Sequence, residues 1–186
     1  YSSKDILPAV KSKDELEDPN PLAEHFMQRV AGKTFSKETA REKIIPAYMG
    51  LITQIDDQLG VLFDFMGKQD LLKNTMIVFT SDHGDYLGYH WMGDKSYFHD
   101  PSVKIPLIIV DPTSSGDSTR GTTDNSLVES IDLIPTFVDY HGGQIAGHIL
   151  EGRSLMPKIH GEQIEWRDFA ISEFDYSCEV FRPKTG

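Results

Sequence analysis

The residues best able to do chemistry crowd into one segment, Ser81 to Pro101, where three of the chain's seven histidines and four aspartates fall within 21 positions. Asp82 and His83 offer a carboxylate oxygen beside an imidazole nitrogen, a mixed donor pair that suits Mn²⁺, Zn²⁺ or Fe²⁺. Ca²⁺ and Mg²⁺ prefer all-oxygen shells and suit it less, without being excluded. Adjacent residues on a continuing strand point to opposite faces, so these two can serve one ion only where the backbone turns out of the strand. Gly84 and Gly88 permit such a turn. Ser81-Asp82-His83-Gly84 is equally ordinary turn chemistry, with Asp bonding its own backbone and Gly supplying a positive φ. Residue type alone leaves both readings open. Lys95, in an acidic loop, reads on the same basis as a solvated partner of Asp94 or Asp100. His90 and His99 carry imidazoles that titrate near neutrality and could protonate a leaving group.

The elements around this segment place it. Met76 to Phe79 is an unbroken apolar run bounded by turn residues, and Ile105 to Val110 is a second; both read as strands buried on two faces of a parallel sheet. Pro106 is tolerated at the first residues of such a strand. Asp82 and His83 therefore lie beyond the carboxyl end of a strand, where open α/β sheets bind their ligands. Upstream, Tyr48, Ile52, Ile55, Leu59, Leu62 and Met66 recur at steps of four and three, which predicts one helix face, punctuated by Pro46 near its start and Gly67 at its end. A short helical pattern covers Leu22 to Val30. Downstream, the spacing predicts a strand at Leu127 to Glu129, a helix from about Asp132 to His141 with Asp132 as N-cap, and a strand at Phe169 to Ser172. This order is that of a layered α/β protein whose helices flank a mostly parallel sheet.

Composition narrows the partners. The 186 residues carry 18 Lys plus Arg against 29 Asp plus Glu, a net charge of −11 that repels phosphate backbones and anionic lipid. Nucleic acid and membrane are not expected partners; no apolar run approaches the roughly 20 residues of a membrane span. The single cysteine, Cys178, excludes an internal disulfide and a multi-Cys zinc site. The start, Tyr1-Ser2-Ser3-Lys4-Asp5, has neither an initiator Met nor an apolar signal core, so the chain is expected to begin inside a longer soluble protein.

The run Asn74-Thr75-Met76-Ile77-Val78-Phe79-Thr80-Ser81-Asp82-His83-Gly84-Asp85-Tyr86-Leu87-Gly88, followed by Lys95 and Lys104-Ile105-Pro106-Leu107-Ile108-Ile109, resembles the second metal motif of the sulfatase family in the alkaline phosphatase superfamily. Tyr48 to Gly60, Asp132 to Thr136, Glu151 to Pro157 and Ile171 to Tyr176 are similar to further family segments, and together they make the chain look most like the phosphonate monoester hydrolase branch. The resemblance implies an alkaline phosphatase-like layered α/β sandwich, present here as a partial domain. It also implies a metal-dependent hydrolase of sulfate esters or of phosphonate and phosphate mono- and diesters, with a small anionic ester as substrate. Asp82 and His83 match the family's metal ligands, and Lys95 matches the lysine that contacts the transferred group. His90 is carried as a weaker catalytic candidate. The expected cofactors are a divalent metal and a formylglycine in the missing N-terminal part.

That formylglycine arises from Cys/Ser-x-Pro-x-Arg, a motif the 186 residues lack. Cys178 and Arg182 have its spacing, but Val180 replaces the proline and the segment follows the metal motif instead of preceding it, so Cys178 reads as a plain free thiol. By itself the chain is expected to be inactive. Its expected organisation is a surface excursion or insertion over 1–42, the C-terminal half of the sulfatase-type domain over 43–150 and the start of a C-terminal subdomain over 151–186. The rival reading is a non-catalytic metal-binding module for interaction or regulation, and the sequence leaves room for a homo-oligomer.

Overall fold

The structure is a computed structural model that describes residues 1–175, so Cys178 lies outside the described residues. The chain divides into two compact units, one built chiefly from Tyr1–Asp64 and His83–Pro106, the other from Phe65–Asp82 and Leu107–Ser172. No helix among the described residues is long and apolar enough to cross a membrane.

In the first unit, Asn20 starts the helix Pro21–Gln28: its Oδ1 accepts the Leu22 N–H at 2.9 Å, and Pro21 occupies the position where a missing N–H costs least. That helix buries Ala23 and Phe26 against Tyr86 and Met92, with Leu22, Met27, Tyr89 and Tyr97 packed around them. Part of the segment expected as a surface excursion thus supplies half of this core. The sequence pattern showed the helix, but a lone apolar stripe does not reveal that its partner lies some 60 residues away.

The long helix runs Glu38–Lys68, beginning eight residues before Pro46 instead of near it. Pro46 removes one backbone bond, yet the preceding turns are anchored independently by Arg41, which is buried to 1% exposure. Its Nε donates to the Leu87 carbonyl at 2.9 Å, Nη1 to Glu38 Oε1 at 2.5 Å and Nη2 to the Leu7 carbonyl at 3.0 Å. The guanidinium so joins the N-terminal strap, the helix and the loop after His83. Gly88 passes directly over it with φ of 99°, and a Cβ there would come within 2.6 Å of Arg41 Cδ. Only glycine satisfies both the backbone sign and the space.

In the second unit, β1 (Ile77–Thr80) and β2 (Leu107–Val110) pair antiparallel, from Ile77 opposite Val110 to Thr80 opposite Leu107. The expected parallel sheet buried on both faces is corrected here: among the described residues the sheet has two strands, and β2 alternates, with Ile108 58% exposed. An apolar run gives a strand but neither its partner nor its direction. The strands expected at Leu127–Glu129 and Phe169–Ser172 do not form. Carboxylates take donors that a ladder would need: Glu129 N–H goes to Asp132 Oδ2 at 2.8 Å and Ile171 N–H to Glu129 Oε1 at 2.8 Å. The helix expected downstream is present as Leu133–Tyr140, and Gly142 with φ of 69° follows its end. Asp132 sits at its N-cap position but turns its carboxylate elsewhere, accepting Arg153 N–H at 2.8 Å and Arg167 Nη2 at 2.6 Å.

Arg41→Met in the full-length protein is expected to lower unfolding free energy by about 2–4 kcal/mol, because the part-buried bonds of a charged donor to the Leu87 and Leu7 carbonyls are lost at roughly 1–3 kcal/mol each. Lys73→Met, which removes an exposed ion pair with Asp70, should cost under about 1 kcal/mol. Denaturant midpoints of the two variants measure this contrast.

Candidate functional site

β1 ends at Thr80, and the chain bends at Asp82. Asp82 is exposed and closes a segment of the second unit; Ser81 Oγ lies 3.5 Å from its Oδ1. His83 opens the loop of the first unit. Gly84 follows, its N–H donating to the Ser102 carbonyl at 2.8 Å, so close to the returning chain that a Cβ would meet the Pro101 oxygen at 2.0 Å. Further rungs join Tyr86 N–H to the Asp94 carbonyl at 2.9 Å and Gly88 N–H to the Met92 carbonyl at 2.8 Å. These bonds fold the loop back on itself and bring residue 95 to residue 83.

Lys95 Nζ lies 2.5 Å from His83 Nε2. The other ring nitrogen, Nδ1, is 2.8 Å from the Gly84 carbonyl, an acceptor only, so Nδ1 carries the proton and Nε2 presents its lone pair to the ammonium. Lys95 is exposed and is bonded to neither Asp94 nor Asp100; Asp100 instead faces Lys104 at 3.9 Å. Asp85, two residues on, is held above the ordinary carboxyl range chiefly by burial, despite the Leu87 N–H donating to it at 2.9 Å.

His90 is placed in a different group. Its Nδ1 lies 2.6 Å from Glu15 Oε1, its backbone N–H donates to the Val10 carbonyl at 2.9 Å, and its ring stacks on His99 with centroids 4.0 Å apart. Next to it, Trp91 Nε1 donates to the Ser12 carbonyl at 2.6 Å. The strap 10–15 therefore holds the turn 88–91, where His90 and Trp91 both carry positive φ, at 52° and 60°. Burial works against the charge on Glu15, but the Ser12 N–H and the His90 ring outweigh it and keep the carboxyl below the ordinary glutamate range. Glu15 was not singled out in the sequence: 75 positions separate it from His90, and no local pattern links them.

The donor chemistry of Asp82 and His83 fits a first-row divalent ion in part: one carboxylate, one imidazole with a fixed tautomer. Among the described residues no three His, Cys, Asp or Glu side chains come together as a complete site.

The Sulfatase family model matches residues 11–143. The chain is 30% identical over 190 residues to the multifunctional alkaline phosphatase superfamily protein PehA of Trinickia caryophylli, an alignment covering 95% of this chain and 36% of that protein. It is 32% identical over 136 residues to the N-acetylglucosamine-6-O-sulfatase of Bacteroides thetaiotaomicron, covering 71% of this chain and 24% of that one. Among solved structures, the phosphonate monoester hydrolase SpPMH from Silicibacter pomeroyi superposes with a TM-score of 0.82 at 26% identity, covering 96% of this chain and 38% of that one. The chain spans between about a quarter and little more than a third of the length of these relatives.

Glu15 contributes stability that is present above the unfolded value of 4.5 and is lost as pH falls through its lower folded value. Glu15→Gln in the full-length protein is therefore expected to flatten the acid side of the stability profile, so that the difference between parent and variant shrinks as pH falls below 4.5. Thermal midpoints across that range check it.

Proposed function

The chain belongs to the sulfatase family, and on that premise we propose that it supplies the Asp-His metal half-site and the lysine of an enzyme that hydrolyses sulfate esters or phosphonate and phosphate esters. The observation that carries this reading is Lys95 Nζ at 2.5 Å from His83 Nε2. A lysine serving only as a solvated counter-ion in this acidic loop would face Asp94 or Asp100; this one faces the imidazole directly beyond β1. The relatives support the substrate class: a phosphonate monoester hydrolase by structure and an N-acetylglucosamine-6-O-sulfatase by sequence.

Asp82 and His83 would hold the divalent ion, which supplies Lewis-acid polarisation of the ester oxygen when bound. For His83 the bond from Nδ1 to the Gly84 carbonyl fixes the orientation of the ring, so that Nε2 is the atom that would donate to the ion. Lys95 sits within reach of that atom and places a compact positive charge where negative charge builds on the transferred group. Nε2 has one lone pair, so an ion held there would displace the ammonium from the ring and leave it beside the ion, turned toward the anionic group of the substrate. The backbone rungs from Gly84 to Ser102 and from Tyr86 to Asp94 fix the two side chains before substrate arrives, which lowers the cost of orienting them. The attacking formylglycine would come from outside these residues, since no Cys/Ser-x-Pro-x-Arg occurs in the sequence. The 186-residue chain alone is accordingly expected to be inactive.

Lys95→Ala in the full-length protein should lower kcat/KM on an aryl sulfate or aryl phosphodiester by about 10²–10³, the usual loss of one preorganised charge donor. Its stability should change by no more than about 1 kcal/mol, because the side chain is exposed. Turnover within about threefold of the parent would reject the assignment.

A further inference from the structure

The loop that carries His83 and Lys95 is fastened at Tyr86, whose side chain is wholly buried. The Tyr86 backbone N–H holds the Asp94 carbonyl, one residue before Lys95. At the far end of the same side chain, the His99 backbone N–H donates to the Tyr86 hydroxyl oxygen at 3.1 Å, and the hydroxyl lies 3.1 Å from His99 Nδ1. A hydroxyl whose oxygen already accepts a bond has one proton to give, and here Nδ1 is in line to take it. That arrangement requires an imidazole with a bare Nδ1, which is the neutral ring with its proton on Nε2.

We propose that neutral His99 is a positioning residue that acts through Tyr86, pinning the loop of His83 and Lys95 by accepting the buried hydroxyl proton, and that uptake of a solvent proton at Nδ1 releases the pin. The inference rests on the reading of His83 and Lys95 as the reacting groups. Protonated His99 would present Tyr86 with two donors and withdraw Nδ1 as acceptor of the hydroxyl proton, so the bond that ties the two ends of the loop is lost. The groups facing His99 are the His90 ring stacked at 4.0 Å, the Tyr97 ring at 5.1 Å, the Tyr86 ring at 5.9 Å, and the charges of Glu15 and Asp100. Burial first, and the neighbouring His90 second, hold His99 below the ordinary histidine value of 6.5, although Glu15 and Asp100 oppose this. A base depressed in the fold contributes stability that is complete above its unfolded value and is lost as pH falls below it. The pin is thus set at neutral pH and weakens below about pH 6.5.

His99→Asn and His99→Ala in the full-length protein test this, because the Asn Oδ1 can accept the Tyr86 proton and does not titrate. His99→Ala should lower kcat/KM at pH 8 by about tenfold or more, and His99→Asn should recover most of that loss. The acid limb of kcat/KM in His99→Asn should also move to lower pH by about half a unit or more. A purely structural histidine would lower all points of the profile alike and leave the limb in place, and that result would overturn the proposal. So would a His99→Asn variant as slow as His99→Ala at every pH, which would make the ring itself the proton donor. Should the parent turn over neither an aryl sulfate nor an aryl phosphodiester, the functional reading fails. The fall in thermal midpoint between about pH 7.5 and 5 then decides the pin: reduced in His99→Asn it is supported, unchanged it is overturned.

Discussion

A guanidinium removed from water must have its donors satisfied or its burial costs several kcal/mol, and Arg41 is the point at which this chain meets that demand. Its three bonded partners come from the strap at Leu7, the helix at Glu38 and the loop at Leu87. Because two of the three are backbone carbonyls, the contact fixes where the main chain runs, not only where a side chain lies. Gly88 follows from it, since no Cβ fits over the Arg41 side chain. With Leu87 and Gly88 held, Tyr86 drops into the core beside Phe26 and Met92, and the rungs to Asp94 and Ser102 set the return path. The His83 to Lys95 contact is the end of that sequence of constraints.

This order explains why so much structure serves so small a chemical group. A histidine and a lysine twelve positions apart in a glycine-containing loop would lose considerable conformational entropy on meeting. The strap, the helix Pro21–Gln28 and the stacked His90 and His99 rings have ordered the loop beforehand. Strain marks the same place: Leu87, His90, Trp91, Asp94 and Ser96 are all non-glycine residues at positive φ. Such conformations persist only where surrounding bonds over-determine them, as the carbonyls of Val10 and Ser12 do here.

Local signals were legible in the sequence and distant ones were not. The helix Leu133–Tyr140 and the strands β1 and β2 follow from apolar spacing and punctuation, and the site loop follows from the density of histidine and aspartate together with the family motif. Strand direction did not follow, because Met76 to Phe79 and Ile105 to Val110 have the same composition whichever way they pair. Nor did the role of the first 40 residues: polar and acidic in sequence, they hold Phe26 in the core and Glu15 against His90. Both contacts span dozens of residues, and each depends on tertiary packing that no window of the sequence contains. Lys95 is intermediate. Its residue type suggested a salt bridge with a neighbouring aspartate, and only the resemblance to the sulfatases pointed at the reacting group.

Metal content shows whether Asp82 and His83 hold an ion without reference to any substrate. Elemental analysis of the purified full-length protein, beside Asp82→Ala and His83→Ala, is the direct measurement. About one equivalent of a divalent first-row metal is expected in the parent, with most of it lost in both variants while each stays folded. Parent-like metal content in both variants would contradict this expectation.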